Sequence, residues 1–163
     1  MYALIWSVAL IGLAIGACGG KQMTPKGPPQ PLEERRAIQV IADAIRGEGL
    51  TPAPGRTIQV GADRSVEMDV GVQGNRFGVA YTGEEERKAL GSSLAPREFE
   101  GQLQLVRGVG TEAGTQVLIL HATDYMLDDH LGTDYEASTI TAERKLARDV
   151  RDFVAEAREK RWP

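Results

Sequence analysis

Residues 66–81, with the sequence VEMDVGVQGNRFGVAY, decide the fold class of this chain of 163 residues. Apolar side chains take every second position from Val66 to Val72, which is the two-residue period of a strand with one buried face. Residues 73–76 contain glycine and asparagine, which favour a tight turn. A returning strand follows, and its buried positions are predicted to be Phe77, Val79 and Tyr81. The stretch therefore predicts an antiparallel hairpin.

Further strands are predicted on both sides of this hairpin. Ile58 and Val60 alternate with polar neighbours before it, so they predict a strand that completes a three-strand meander. Residues 51–55, rich in proline and glycine, are predicted to form a loop ahead of that strand. Later in the chain, Leu103 and Leu105 predict another short strand.

The most apolar strand is predicted at residues 115–121. Its unbroken apolar run at residues 117–120 is typical of a strand that is buried on both faces, so it is predicted to be central in the sheet. A glycine-rich stretch at residues 108–114 precedes it and is predicted to be a hairpin turn, because the helix that a dinucleotide loop requires does not follow. Short connections between successive strands predict mostly antiparallel pairing.

Three helices are predicted around these strands. The first covers residues 32–46, where isoleucines recur on one helical face. A short one covers residues 82–90, where Thr82 and Glu85 have the spacing of a capping box. The last covers residues 141–161, and its apolar face is predicted to pack on the sheet through Leu146, Val150, Phe153, Val154 and Ala157.

These elements predict a single α+β domain at residues 32–163. It is expected to have two layers, a mostly antiparallel sheet of about five strands with the N-terminal and C-terminal helices on one face. The chain contains 23 acidic and 19 basic residues and a formal net charge of −4, so it offers no overall electrostatic attraction for nucleic acid. Its single cysteine, Cys18, excludes an intramolecular disulfide and a cysteine-based zinc site.

The first 20 residues are almost entirely apolar, and no charged side chain occurs before Lys21. Ile15, Gly16, Ala17 and Cys18 resemble the lipobox of bacterial lipoprotein signal peptides, in which two small residues precede the cysteine. The resemblance implies that residues 1–17 are a signal peptide cut between Ala17 and Cys18, and that lipid is attached to the Cys18 sulfur. An uncleaved membrane anchor with an incidental cysteine is the alternative.

The anchor would be followed by a tether. Residues 18–31 are rich in proline and glycine, a composition that favours an extended, flexible segment. The resemblance implies a place in the cell envelope, with the domain in the periplasm or at the cell surface. In that family an aspartate after the cysteine is linked to inner-membrane retention, so Gly19 favours the outer membrane.

The polar stretch HATDYMLDDHLGTDYE, residues 121–136, contains both histidines of the chain. Imidazole and carboxylate groups are ligands for zinc and other divalent cations, so His121, Asp124, Asp128 and His130 are candidate metal ligands of a metal-assisted hydrolase. Their spacing matches no ligand motif. A solvated loop with surface histidines is the alternative interpretation.

Residues 121–124 also suggest a second partner. His-Ala-Thr-Asp after a strand, followed by an arginine-rich helix, is similar in outline to peptidoglycan-binding domains of the outer-membrane-protein-A type. That resemblance implies that Asp124 binds the amine of a peptidoglycan peptide. In such domains an arginine also contacts the peptide, but no arginine of this sequence stands at a matching position.

No nucleophile-elbow motif occurs, and no catalytic residue is assigned. The function expected from the sequence is a non-catalytic interaction or structural module of the cell envelope. The covalent lipid at Cys18 is the only bound group expected, and the membrane, an envelope protein or peptidoglycan are the expected partners.

Overall fold

The computed structural model describes residues 29–99, 102–128 and 138–162, so Ala17, Cys18 and His130 lie outside the described residues. Its elements, in chain order, are α1 (Glu34–Gly47), β1 (Pro52–Gly61), β2 (Arg64–Val72), β3 (Phe77–Thr82), α2 (Glu84–Leu90), β4 (Gln104–Arg107), β5 (Gln116–His121) and α3 (Ile140–Glu159). The strands form one five-stranded sheet. The fold is α+β, as the sequence predicted.

The order of strands in the sheet is β1-β2-β3-β5-β4. Three of the four neighbouring pairs are antiparallel, and the pair of β3 with β5 is parallel. The parallel pair arises because β4 and β5 form a hairpin whose second strand docks on β3. All six residues of β5 are buried, whereas β4 has an exposed residue at its end, so the more apolar strand takes the interior position. β3 is the middle strand, and β5 lies beside it.

The helices α1 and α3 lie together on one face of the sheet and enclose the larger core. Ile41, Ile45, Leu146 and Phe153 from the helices meet Val79 and other side chains of β3 and β5, and all of these are buried. The predicted apolar face of the last helix is confirmed, because Leu146, Val150, Phe153, Val154 and Ala157 are all buried. Arg36 of α1 also holds Glu143 of α3 with two hydrogen bonds of 2.9 and 2.7 Å.

The opposite face of the sheet curls around a second core. Side chains of β1, β2, β4 and β5 point into the curl, and Leu90 of α2 closes it. The curl brings the two outer strands together, since the amide of Val109, just after β4, donates to the carbonyl of Gln59 in β1 at 2.8 Å. Arg56 and Glu112 form an ion pair of 2.7 Å across the same seam. The sheet is therefore curled enough to be nearly closed on itself.

The strand β2 contributes to both cores. Val66 and Met68 face the second core, whereas Val70 and Val72 face the helices, although all four alternate regularly in the sequence. The strand coils at Asp69, and Gly55 of β1 lies directly against it. A Cβ atom at Gly55 would overlap the main-chain oxygens of Met68 and Asp69, so only glycine permits this close approach.

Two local predictions were wrong. Residues 51–55 are not all loop, because β1 begins at Pro52 and contains Pro54. An edge strand tolerates proline, since its outward amide has no partner in the sheet. The capping box also lies one residue later than predicted. The N-cap of α2 is Gly83, whose amide donates to Glu86 Oε2 at 2.8 Å, while the Thr82 hydroxyl donates to a carbonyl of β5.

Candidate functional site

Acidic side chains gather at the end of the sheet where the parallel strands β3 and β5 stop. Thr82 and His121 are paired at this end. The first turns of α1 and α2 face the same space, and together they supply several glutamates to its wall. The carboxyl ends of parallel strands often form ligand sites in open sheets, because the connecting loops diverge there and leave a crevice.

Two adjoining cavities at this end, of about 460 and about 190 Å³, form what we name the acidic groove. Glu34, Tyr81 and Glu86 belong to the walls of both cavities. No lysine, arginine or histidine is among the described residues that line them. Seven carboxylates do line them, namely Glu33, Glu34, Glu67, Asp69, Glu84, Glu85 and Glu86.

Lysine and arginine side chains lie beside the groove, and the charge of Arg87 in α2 also reaches His121 behind its wall. Lys88 Nζ is 3.6 Å from Glu84 and 3.8 Å from Glu85, and Arg35 Nε is 3.6 Å from Glu33. All these side chains are well exposed, and such pairs contribute little to binding or stability. In the described part of the chain, no lysine or arginine pairs with Glu34, Glu67 or Asp69. The groove therefore carries a concentrated negative charge.

Asp69 lies in the wall of the smaller cavity. Its Oδ2 accepts a hydrogen bond of 2.7 Å from the backbone amide of Tyr81. The carboxylate therefore replaces the backbone carbonyl that a neighbouring strand would otherwise offer to this amide of β3. Burial raises the pKa of Asp69 to about 6, although the hydrogen bond from Tyr81 opposes the shift. Three neighbouring carboxylates raise this pKa further, those of Glu34, Glu67 and Glu86.

His121 lies behind the groove wall and is only 4% exposed. Its Nδ1 is hydrogen-bonded to the hydroxyl of Thr123, and its Nε2 lies 3.2 Å from Glu84 Oε2. Nε2 makes no hydrogen bond, because Glu84 lies off the direction in which the ring N–H points. Burial lowers the pKa of His121, and the charge of Arg87 lowers it further, so the imidazole is neutral at neutral pH.

A separate polar network ties the segment after β5 to α3. Arg97 holds Asp124 at 2.5 Å, and the Tyr125 hydroxyl donates to Asp149 at 2.9 Å. Lys145 lies 3.3 Å from the same Asp149 and 4.4 Å from the centre of the Tyr125 ring. Burial raises the pKa of Asp124, but the hydrogen bond and charge of Arg97 outweigh it, so this pKa is lowered overall. Within this network, Nε of Arg97 is buried and has no hydrogen-bond partner among the described residues.

The candidate metal ligands that the structure describes each contact a different partner. His121 faces the groove wall, whereas Asp124 pairs with Arg97. Asp128 accepts a hydrogen bond of 3.0 Å from the Thr141 hydroxyl at the start of α3. Within residues 29–99, 102–128 and 138–162, no three His, Cys, Asp or Glu side chains converge as a metal site would require. His130 lies outside these ranges.

The pairing of Asp124 also bears on the peptidoglycan resemblance. The sequence offered no arginine beside Asp124, and the structure brings Arg97 to it from a distant part of the chain. Asp124 is therefore already paired with a cation of the same chain.

Comparison with protein-family models, curated proteins and solved structures gave no match to this chain. In the ranges that the structure describes, no helix is both long and apolar enough to cross a membrane.

The acidic groove was not predicted from the sequence. In the sequence alone, Glu84, Glu85 and Glu86 are typical of the first turn of a helix, where the helix dipole favours acidic residues, and Asp69 is typical of a polar position in a strand. The signal that could have indicated the groove is the coincidence of acidic residues at the starts of two helices. Glu33 and Glu34 begin α1, and residues 84–86 begin α2, so both first turns carry negative charge.

Proposed function

We propose that this protein is a lipid-anchored interaction module of the cell envelope, and that its acidic groove binds a positively charged segment of a partner protein. The observation that carries the proposal is the composition of the groove wall. Seven of the 23 acidic residues in the chain line two adjoining cavities, and no basic residue in the described part of the chain lines them. Such a concave surface of one charge concentrates ligands of the opposite charge.

The groove also has apolar surface that suits lysine and arginine side chains. Pro31, Leu32 and Ala122 line the larger cavity, whereas the side chains of Val66 and Leu90 beside the smaller one are buried in the second core. The long methylene stems of basic side chains can cover such surface while their charged ends reach the carboxylates. A segment with basic side chains therefore fits the groove better than an inorganic cation does.

The groove between α1 and α3 shows that this charge pattern is specific to one place. Its cavity of about 420 Å³ is lined by three arginines as well as by Asp43 and Glu143. Arg36 and Glu143 pair there at 2.7 Å, so charge on that surface is largely balanced. Of these two described surfaces, the one at the carboxyl end of the parallel strands is therefore the more attractive for a basic segment.

His121 supplies a second observation at the wall of the groove. Its Nε2 is buried, faces Glu84 of the groove wall and has no hydrogen-bond partner. Unpaired buried polar atoms are rare and costly, and they often mark positions that a ligand or a rearranged side chain completes. A ligand that moves Glu84 by a small distance would let the ring N–H and the carboxylate align.

The anchor is tested separately from the groove. If Cys18 carries the lipid, cells that express the full chain should incorporate radioactive palmitate into it, and Cys18→Ala should abolish that incorporation. Ser7→Ala, which changes another small residue of the apolar N-terminal stretch, serves as the control and should keep the label. Equal labelling of wild type and Cys18→Ala would show that the anchor is not at Cys18.

The groove is tested by binding of a basic peptide to the full-length protein in non-ionic detergent. A peptide of alternating lysine and alanine, with an uncharged dye, should bind, and its glutamate counterpart should not. Replacing Glu34 and Glu67 together by glutamine should weaken binding on the order of three- to tenfold, because each substitution removes one solvent-exposed charge contact. Higher salt should weaken binding of the wild type further.

The matched control is the double variant Asp152→Asn with Glu159→Gln. It also removes two negative charges, but from exposed positions of α3, and it should bind the lysine peptide with the affinity of the wild type. If the control loses as much affinity as the groove variant, the attraction comes from net charge alone and the groove has no special part in it. Failure of the lysine peptide to bind at all would refute the proposed function.

A further inference from the structure

The outer side of α3 carries three arginines, which we name the arginine stripe. Arg144, Arg148 and Arg151 follow one another at intervals of four and three residues, so they are neighbours along one side of the helix. All three are exposed. The residues of α3 that pack on the sheet occupy another side of the helix, so the stripe faces away from the sheet.

The stripe has little compensating negative charge within the chain. Among the described residues, no carboxylate forms an ion pair with Arg144 or Arg151. Arg148 Nε lies 3.6 Å from Asp149 Oδ1, but the other oxygen of Asp149 lies 3.3 Å from Lys145 Nζ. The positive charge of the stripe is therefore available to an anionic ligand.

The carboxylates beside the stripe do not change this balance. In the groove between α1 and α3, Glu143 binds Arg36, and Asp43 lies 2.6 Å from Arg46. Both carboxylates thus have cations of their own, while two arginines of the stripe line the same groove. Asp152 lies one turn beyond the middle of the stripe, and it forms no ion pair in the described part of the chain.

An exposed isoleucine extends the stripe. Ile140 begins α3 one turn before Arg144, and 56% of its surface is exposed. Apolar and basic side chains along one helix side are typical of helices that lie on an anionic membrane. There the apolar group enters the interface, and the cations meet the lipid phosphates. The stripe and Ile140 together therefore match the chemistry of an anionic lipid surface.

The chain ahead of α1 would keep this side of α3 close to such a surface. The starts of α1 and α3 lie together, because Arg36 binds Glu143. The 14 residues from Cys18 to Pro31 lead to this end of the domain, and they span at most about 50 Å when fully extended. Confinement to that distance gives the stripe a high effective concentration at the membrane, so weak contacts are sufficient.

We propose that the arginine stripe and Ile140 dock the domain on the anionic phospholipid headgroups of the membrane that holds the chain. This inference rests on the lipid anchor of the proposed function and does not depend on the acidic groove. The guanidinium groups bind headgroup phosphates, for which their paired donors are well suited. No described residue of α3 lines the acidic groove, so docking through the stripe leaves the groove open to a partner.

The test measures how fast each arginine of the full-length protein reacts with phenylglyoxal, as read by mass spectrometry. The protein is added to preformed vesicles of phosphatidylcholine, either alone or in an equal mixture with phosphatidylglycerol. The three arginines of the stripe should react several-fold more slowly on the mixed vesicles. Arg107 of β4 is also exposed, and it should react at the same rate on both. High salt should remove the protection, because it screens exposed charges.

Arg151→Gln and Arg107→Gln are the matched variants, since each removes one exposed positive charge. Arg151→Gln should reduce the protection of Arg144 and Arg148 by roughly fivefold, the contribution of one basic residue at an anionic surface. Arg107→Gln should leave that protection unchanged. Equal loss in the two variants would mean that net charge alone draws the domain to the lipid, and the stripe would have no special part.

Two other outcomes would also overturn the docking surface. One is a stripe that reacts equally fast on both kinds of vesicle. The other is protection on phosphatidylcholine alone that disappears when the protein is diluted in lipid, which would mean that a second copy covers the stripe. Flotation of the same samples reports on the anchor separately. A protein that phosphatidylcholine vesicles leave behind has no working anchor, and this inference then fails together with the anchor.

Discussion

Replacing Phe153 with alanine is expected to lower the free energy of unfolding by about 3–5 kcal/mol, because it opens a cavity in the larger core. Phe153 is completely buried between the sheet and α1. Its ring meets Phe77 edge-on at 5.8 Å between centroids and lies 5.7 Å from the ring of Trp162. Both aromatic contacts are lost together with the buried area, so the loss should lie in the upper part of this range.

The measurement is urea unfolding of the full-length protein in detergent, followed by circular dichroism. Arg151→Ala is the control, since Arg151 lies two residues earlier on the same helix and its side chain is exposed. We expect that variant to stay within about 0.5 kcal/mol of the wild type. A Phe153→Ala protein as stable as the control would mean that α3 does not pack on the sheet.

Replacing either of two neighbouring residues of β5 with alanine should lower the free energy of unfolding by about 2–5 kcal/mol, because the sheet is buried on both faces. Leu118 is completely buried in the core under the helices, and Ile119 is 2% exposed in the core inside the curl. In a two-layer domain whose outer sheet face meets water, only Leu118→Ala would be severe. Comparable losses in the two variants would confirm that both cores support the fold.

The same unfolding experiment decides this point. Leu105→Ala provides the comparison within the β4–β5 hairpin, because Leu105 pairs with Leu118 in the register but is only partly buried. It should lose clearly less stability than either β5 variant. If Ile119→Ala loses no more than Leu105→Ala, the inside of the curl contributes little to stability.

Much of the fold could be predicted because local patterns report local structure. The period of two at residues 66–72 and the turn at residues 73–76 are confirmed, and so is the apolar face of α3. The parallel pairing of β3 with β5 could not be predicted, because either strand of the following hairpin could have docked on β3. The sequence also did not predict that β2 contributes to two cores. This depends on the coiling of the strand at Gly55 and Asp69, whereas the alternation of apolar and polar residues continues unchanged.

The candidate site was harder to predict because its residues come from elements far apart in the sequence. His121 was singled out correctly as a residue of the strand end, but its contact is Glu84 rather than a metal ligand nearby in the chain. Asp69 looked like an ordinary polar position, and only the coil of β2 turns it towards α1 and α2. Arg97 illustrates the same limit, since nothing in the local sequence links it to Asp124.

The near closure of the sheet has a consequence for molecules that are crowded on a surface. Exposed sheet edges recruit strands from neighbouring molecules and so begin aggregation. Here β1 carries Pro52 and Pro54, β4 spans only residues 104–107, and the Val109 amide reaches Gln59 across the seam. Neither edge offers a long row of unpaired amides and carbonyls. We therefore expect copies held close together by the proposed lipid anchor to remain separate rather than polymerise edge to edge.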